Sequence, residues 1–166
     1  MKTRFRLLAQ RMRDEMDGIE RTVDAAARHW RRFQKARVDQ DAFLNSVALN
    51  LHGFYSGVER ILELIALEVD GGALGGEAWH AELLRQMQSV VPTVRPAVLS
   101  DETANWLDDY RKFRHRVRNI YATNLVPNRM ESLVQDLVPG WQRLRQELEI
   151  FATFLDDLAK ADRSKG

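Results

Sequence analysis

Apolar residues recur every three or four positions along most of the chain, and this spacing constrains the fold more than any other feature. A spacing of three and four marks the buried face of an α-helix, whereas a half-buried β-strand alternates apolar and polar residues. No segment shows sustained alternation. We therefore predict an all-α protein, an up-and-down bundle of four long helices plus a short one.

The ends of the predicted helices follow from capping residues and prolines. Asp39 or Asp41 is predicted to cap the second helix, and Ser100 or Asp101 the fourth. Pro127 suits the first turn of the fifth helix, while Pro139-Gly140 is expected to kink or break it. The predicted helices cover about residues 3–36, 40–69, 78–90, 101–121 and 128–161.

We predict one domain over residues 1–166, since no repeat or linker divides the chain. Residues 1–38 are predicted to form a basic amphipathic N-terminal helix, and residues 40–161 are predicted to form a helical bundle. The sequence leaves open whether this first helix packs in the bundle or extends to a partner. Gly71, Gly72, Gly75 and Gly76 indicate a flexible connection, because no strand precedes them and no Gly-Lys-Ser/Thr follows.

The near-neutral total charge hides an uneven distribution. The chain carries 25 basic and 24 acidic residues, yet residues 1–40 hold 11 basic against 6 acidic ones, and residues 111–130 hold 6 basic and none acidic. The absence of cysteine excludes disulfides and thiolate chemistry and suits a reducing compartment. No stretch predicts a signal peptide or a membrane span, so we expect a cytoplasmic protein without membrane association.

The acid-free segment falls on the fourth helix and carries the chemistry of interest. One stripe is apolar, and beside it a second stripe aligns three arginines with a tyrosine, so we expect an exposed basic shoulder. Guanidinium groups bind phosphates, and metal-free RNA cleavage needs a cation together with a proton donor and acceptor. The alternative is a solvated basic face paired with acids of residues 41–110. The shoulder comprises Arg111, Arg114, His115, Arg118, Asn119 and Tyr121.

Other polar residues give weaker signals. His29, His52 and His80 share no spacing typical of metal ligands, so we predict no metal site and no cofactor. Glu59 and Glu63 lie one helical turn apart without a third ligand. We expect them instead to meet the arginines of the fourth helix.

The fourth helix also resembles a known family. Its string from Phe113 to Tyr121, after Asp109-Tyr110-Arg111-Lys112, is similar to the signature of HEPN domains, specifically the HepT-like ribonuclease toxins. Residues 51–61, residues 79–84 and Arg95-Pro96 also resemble one HepT-like subgroup. The motif of this family consists of Arg, four further residues, His, one further residue and Tyr. In the family, two protomers bring these residues together at a dimer cleft, where RNA is cut without metal.

The resemblance implies roles for individual residues. The motif arginine falls on Arg114 and the tyrosine on Tyr121, which in this family a minimal nucleotidyltransferase antitoxin modifies with AMP. The motif histidine is replaced by Asn119, whose amide cannot exchange a proton near neutral pH. The imidazole of His115, one turn earlier, is the sequence-level substitute.

Three hypotheses remain open at this level. The first is a homodimeric, metal-independent endoribonuclease toxin that binds RNA through Arg111, Arg114 and Arg118, with Arg114, His115, Asn119 and Tyr121 as its catalytic group. The second is a catalytically inactive HEPN module that binds RNA, nucleotide or a nucleotidyltransferase partner. The third is a helical interaction protein without nucleic acid.

Overall fold

The computed structural model describes residues 2–72, 74–118 and 125–161 and confirms the all-α prediction. Over these segments the only β pairing is a single bridge between Val91 and Arg95. None of the described helices is apolar enough over its length to cross a bilayer. The helices are α1 (Lys2–Lys35), α2 (Gln40–Glu68), α3 (Trp79–Gln88), α4 (Asp101–Arg118) and α5 (Pro127–Ala161).

The first helix packs inside the bundle, which answers the question that its sequence left open. It runs antiparallel to α2, as shown by the ion pair of Arg60 with Glu15 and by His29 bonded to Ser46. It also runs antiparallel to α5, where Arg13 pairs with Glu149. Its predicted apolar stripe is buried from Leu8 to Trp30. One hydrophobic cluster joins residues of all five helices.

Two of the expected helix starts have different outcomes. Ser100 caps α4 as predicted, since its Oγ accepts a hydrogen bond from the Thr103 backbone N–H at 3.2 Å. Asp39 occupies the N-cap of α2, but its side chain makes no capping bond because its backbone is left-handed, with φ of 56°. This conformation reverses the chain between α1 and α2, so the expected cap by Asp39 is wrong.

Of the two outcomes expected at Pro139-Gly140, a kink or a break, the break is wrong. Helix α5 continues through Pro139 to Ala161. Gly140 has a packing role instead, because a Cβ atom there would lie 2.2 Å from the indole of Trp106. The missing side chain lets α4 and α5 approach closely. Phe54 of α2 contacts the Trp106 ring in a tilted arrangement and the Trp141 ring edge to face.

A buried ion pair anchors the connection between α3 and α4. Arg95 is 3% exposed and donates to both carboxylate oxygens of Asp70, at 2.5 and 2.7 Å. It also donates to the carbonyl oxygens of Gln86, Ser89 and Pro96. The guanidinium therefore ties the end of α2, the end of α3 and the following loop together, which fixes the position of α3 beside α2.

Candidate functional site

A buried charged network joins α2, α3 and α4 around Arg114. This residue is 7% exposed, and its Nη2 donates to Glu59 Oε1 at 2.7 Å. Its Nη1 donates to the hydroxyl of Ser56 at 3.3 Å. The guanidinium carbon lies 4.7 Å from the ring centroid of Tyr55, a cation–π contact. Arg114 is therefore held from three sides by α2.

Glu59 is the acidic centre of this network. The residue is 5% exposed, and its two carboxylate oxygens bind different partners: Oε1 accepts from Arg114, and Oε2 accepts from His80 Nδ1 at 2.7 Å. Two ionisable groups next to Glu59 have a raised pKa. Burial first, and then the Glu59 charge, raise the pKa of the Tyr55 hydroxyl and of the Glu63 carboxyl.

His80 is the network's link to solvent, because its side chain is 28% exposed. It lies at the start of α3, and the centroid of its ring is 3.7 Å from the centroid of the adjacent Trp79 ring. Because a carboxylate only accepts, the bond to Glu59 places a proton on Nδ1, and in the neutral imidazole Nε2 is then the acceptor nitrogen. Arg114 Nη2 lies 3.2 Å from Nδ1, so the imidazole and the guanidinium share one carboxylate.

This arrangement has two of the parts that phosphodiester cleavage needs. A carboxylate that orients an imidazole fixes its tautomer and stabilises the imidazolium form during proton transfer. A neighbouring guanidinium can stabilise negative charge on a phosphorane. The Glu59–His80 pair therefore has general acid–base geometry, and it lies directly beside the arginine of the family motif.

The rest of the expected basic shoulder is split between buried and exposed positions. The expectation that Arg114 is exposed is wrong, because the α4 stripe that starts at buried Leu107 faces α2 and α3. Arg111 is half-buried and donates to Asp108 at 2.6 Å, while His115 is exposed. The prediction that Glu59 meets an arginine of α4 is confirmed. The alternative was a solvated basic face paired with acids of residues 41–110. Ion pairs of this kind are present for Arg111 and Arg114, but Arg114 is buried rather than solvated.

Arg111 forms an ion pair within its own helix. Asp108 is bonded to Arg111 and to Lys112, the latter at 3.0 Å. Partial burial opposes ionisation of Asp108, but these two cations outweigh it and lower the pKa of the Asp108 carboxyl. An RNA phosphate that binds Arg111 would compete with this carboxylate.

Two residues of the motif lie outside the described part of the chain. Asn119 and Tyr121 fall within residues 119–124, which the structure does not describe. The side chain of Arg118, the last residue of α4, also lies outside the described part. Among the described residues, no group of three His, Asp or Glu side chains is placed to hold a metal ion.

Sequence reasoning placed His80 among residues without a role, and the structure brings it to the centre of the site. Neither its spacing from Glu59 nor its spacing from Arg114 follows a helical period, because the three residues lie on different helices. The one signal that pointed to it is the string Trp79 to Leu84, which resembles the HepT-like subgroup.

A match to one family model covers most of the helical bundle. Residues 46–155 match the model of the HepT-like protein family, which is well over half of the chain. No curated protein and no solved structure matches the chain significantly. The chain belongs to the HepT-like family of HEPN proteins, and α1 lies outside the matched region.

Proposed function

We propose that this protein is a metal-independent endoribonuclease, the toxin of a toxin–antitoxin pair whose antitoxin is a minimal nucleotidyltransferase. Membership of the HepT-like family supports this proposal. The observation that carries it is the contact of the motif arginine, Arg114, with an imidazole held by a carboxylate, His80 with Glu59. A reducing cytoplasm is the proposed compartment.

Each residue of the motif has a proposed role in cleavage. Arg114 binds the scissile phosphate and stabilises the charge of the phosphorane. Arg111 and Arg118 bind neighbouring phosphates. Asn119 orients the phosphate through its amide. Tyr121 is the site of contact with RNA or of modification by the antitoxin.

Proton transfer is assigned to two imidazoles that differ in their surroundings. His80 has a carboxylate partner and reaches solvent, and His115 is an exposed residue next to Arg114 in sequence. One imidazole takes the proton of the 2′-hydroxyl and the other protonates the leaving 5′-oxygen, which forms a 2′,3′-cyclic phosphate. Together they would supply what Asn119 lacks.

The proposed working unit is a homodimer, as the family resemblance implies. Leu49 on α2 is 71% exposed, and Leu67 on the same helix is also exposed. Both lie on the solvent-exposed side of α2, where Glu63 is also exposed. A second copy of the chain would cover these leucines and bring two Arg114 sites together.

The experiment is cleavage of mixed tRNA and single-stranded RNA in chelator, followed by analysis of the product ends. We expect 2′,3′-cyclic phosphate ends from the wild type. The variants His80→Ala and His115→Ala each slow cleavage by about 100-fold, because each removes one proton-transfer group. Arg114→Lys slows it by a similar factor, since an ammonium cannot replace the bidentate fork. Circular dichroism spectra confirm that the variants are folded.

Arg85→Ala is the matched control, since it removes an exposed cation from the last turn of α3 without touching the network. It should leave the cleavage rate within about threefold, because this cation takes no part in the proposed site. Cleavage that requires added Mg²⁺, or that is unchanged in both histidine variants, would contradict the proposal.

A second candidate function is favoured by the burial of Arg114. A guanidinium that is 7% exposed and paired with Glu59 can serve the fold alone. Under this reading the chain is an inactive HEPN module that binds RNA, nucleotide or a nucleotidyltransferase. Undetectable cleavage by a preparation that still binds RNA would select it.

A further inference from the structure

The cations of α1 differ in their partners. Arg4 pairs with Glu68, and Arg13 pairs with Glu149 and Asp156. Arg6, Arg11 and Arg21 are spread along the helix without a carboxylate within 4.0 Å among the described residues, whereas four further exposed cations without one are concentrated between residues 28 and 35. These unpaired cations are Arg28, Arg31, Arg32 and Lys35.

The four cations line a surface pocket of about 460 Å³ at the junction of α1 and α2. Its remaining lining residues are Ala36 and Phe43, which are half-buried. A pocket of this volume is in the range of small-ligand sites. An aromatic ring beside several guanidinium groups is the combination that binds a nucleobase together with its phosphates.

The pocket lies at the end of the bundle that also carries basic residues of α4 and α5. Because α1 is antiparallel to α5, its last turns lie at the same end of the bundle as the first turn of α5, which carries Arg129. Arg129 and Arg116 line a shared groove there, between α4 and α5. Positive charge from three helices therefore collects at this end, which favours a polyanion over a single phosphate.

Stabilisation of α1 through its helix dipole explains only two of the four cations in the pocket. Basic residues in the last turn of a helix interact favourably with its dipole, and Arg32 and Lys35 occupy that turn. Arg28 and Arg31 lie further back, where the dipole effect has decayed. Four like charges around one pocket repel one another, which an anionic ligand would relieve.

We propose that the pocket between α1 and α2 binds single-stranded RNA, with the phosphates on Arg28, Arg31 and Arg32 and a base against Phe43. This inference shares its ligand class with the proposed function. It adds a binding site outside the family region, on the helix that precedes residue 46. The pocket would extend the path of an RNA chain beyond the network of Arg114.

The test is fluorescence anisotropy with a labelled 2′-O-methyl decauridylate, which the protein cannot cleave because the 2′-oxygen is blocked. The triple variant Arg28→Gln/Arg31→Gln/Arg32→Gln should bind at least 10-fold more weakly than the wild type. Its salt dependence should also fall, with a slope of log K against log salt smaller by about 2, from roughly 0.7 per lost phosphate contact. Phe43→Leu should weaken binding about fivefold without changing this slope, because it removes stacking alone.

The matched control is Arg6→Gln/Arg11→Gln/Arg21→Gln, which removes three exposed arginines from the same helix outside the pocket. It should change the affinity by less than threefold. Equal losses in the two triple variants would overturn the proposal, because total charge would then explain binding. Loss of binding to phosphatidylserine vesicles with unchanged RNA affinity would also overturn it, in favour of a membrane surface.

The result that would overturn RNA binding by this pocket differs from the result that would overturn the ribonuclease proposal. If the wild type binds the probe through this pocket but no cleavable RNA is cut, the pocket stands and the ribonuclease proposal fails. If RNA is cut and the triple variant binds the probe normally, the pocket fails alone.

Discussion

Replacement of Glu59 by glutamine is expected to lower the free energy of unfolding by about 3–5 kcal/mol, the typical cost of leaving one member of a buried ion pair without its partner. The substitution keeps the shape of the side chain and removes its charge. The Arg114 guanidinium, 7% exposed, then has no carboxylate within 4.0 Å among the described residues. His80 loses its charged acceptor at the same time. Urea denaturation followed by circular dichroism measures the change.

Two further variants separate this effect from a general loss of charge. Glu63→Gln lies one turn away on an exposed position and should change stability by less than about 1 kcal/mol. The double variant Glu59→Leu/Arg114→Leu removes both charges and should recover most of the loss. If Glu59→Gln costs less than about 1 kcal/mol, Arg114 is not held by an ion pair as the structure has it.

Replacement of Arg95 by glutamine is the other large expected effect, again about 3–5 kcal/mol of unfolding free energy. Arg95 satisfies both oxygens of Asp70 and three backbone carbonyls, so its loss leaves a buried carboxylate without a cation. Lysine should recover only part of the loss, because one ammonium cannot reproduce five donor contacts in a planar geometry. Thermal and urea denaturation both report the change.

The control for Arg95 is Arg85→Gln, which removes an exposed cation from the last turn of α3. It should cost less than about 1 kcal/mol. A similar cost for the two variants would contradict an anchoring role for Arg95. Because Arg95 also fixes α3 beside α2, the Arg95→Gln variant should show faster amide hydrogen exchange in α3 than the control does.

The helices could be predicted from the sequence because each one buries a single apolar face. The stripe of α1 from Leu8 to Trp30 is buried as expected, and Ser100 caps α4. The outcome at Pro139-Gly140 could not be predicted, since it depends on an indole from another helix. Tertiary packing of Trp106 decided what local propensity left open.

Only part of the candidate site could be predicted from the sequence. Helical spacing placed Arg114 at the edge of the buried stripe, and the Glu59 carboxylate was expected to meet α4. The contact with His80 depends on how α3 docks, which the loop around Arg95 determines. Loop-mediated contacts of this kind leave no periodic pattern in a sequence.

The proposed function places the chemistry in one compact region. Arg114, Glu59 and His80 join three helices within hydrogen-bond distance, and they belong to the region that matches the HepT-like family. The central claim of the proposal is that this network supports RNA cleavage even though asparagine occupies the motif histidine position.

The most direct measurement compares the wild type with Asn119→His for RNA cleavage in chelator. We predict that the wild type already cleaves and that the added histidine changes the rate by less than about tenfold, because His80 and His115 supply the proton transfers. An inert wild type that becomes an active ribonuclease on Asn119→His substitution would contradict this account and would show that Asn119 has removed the activity.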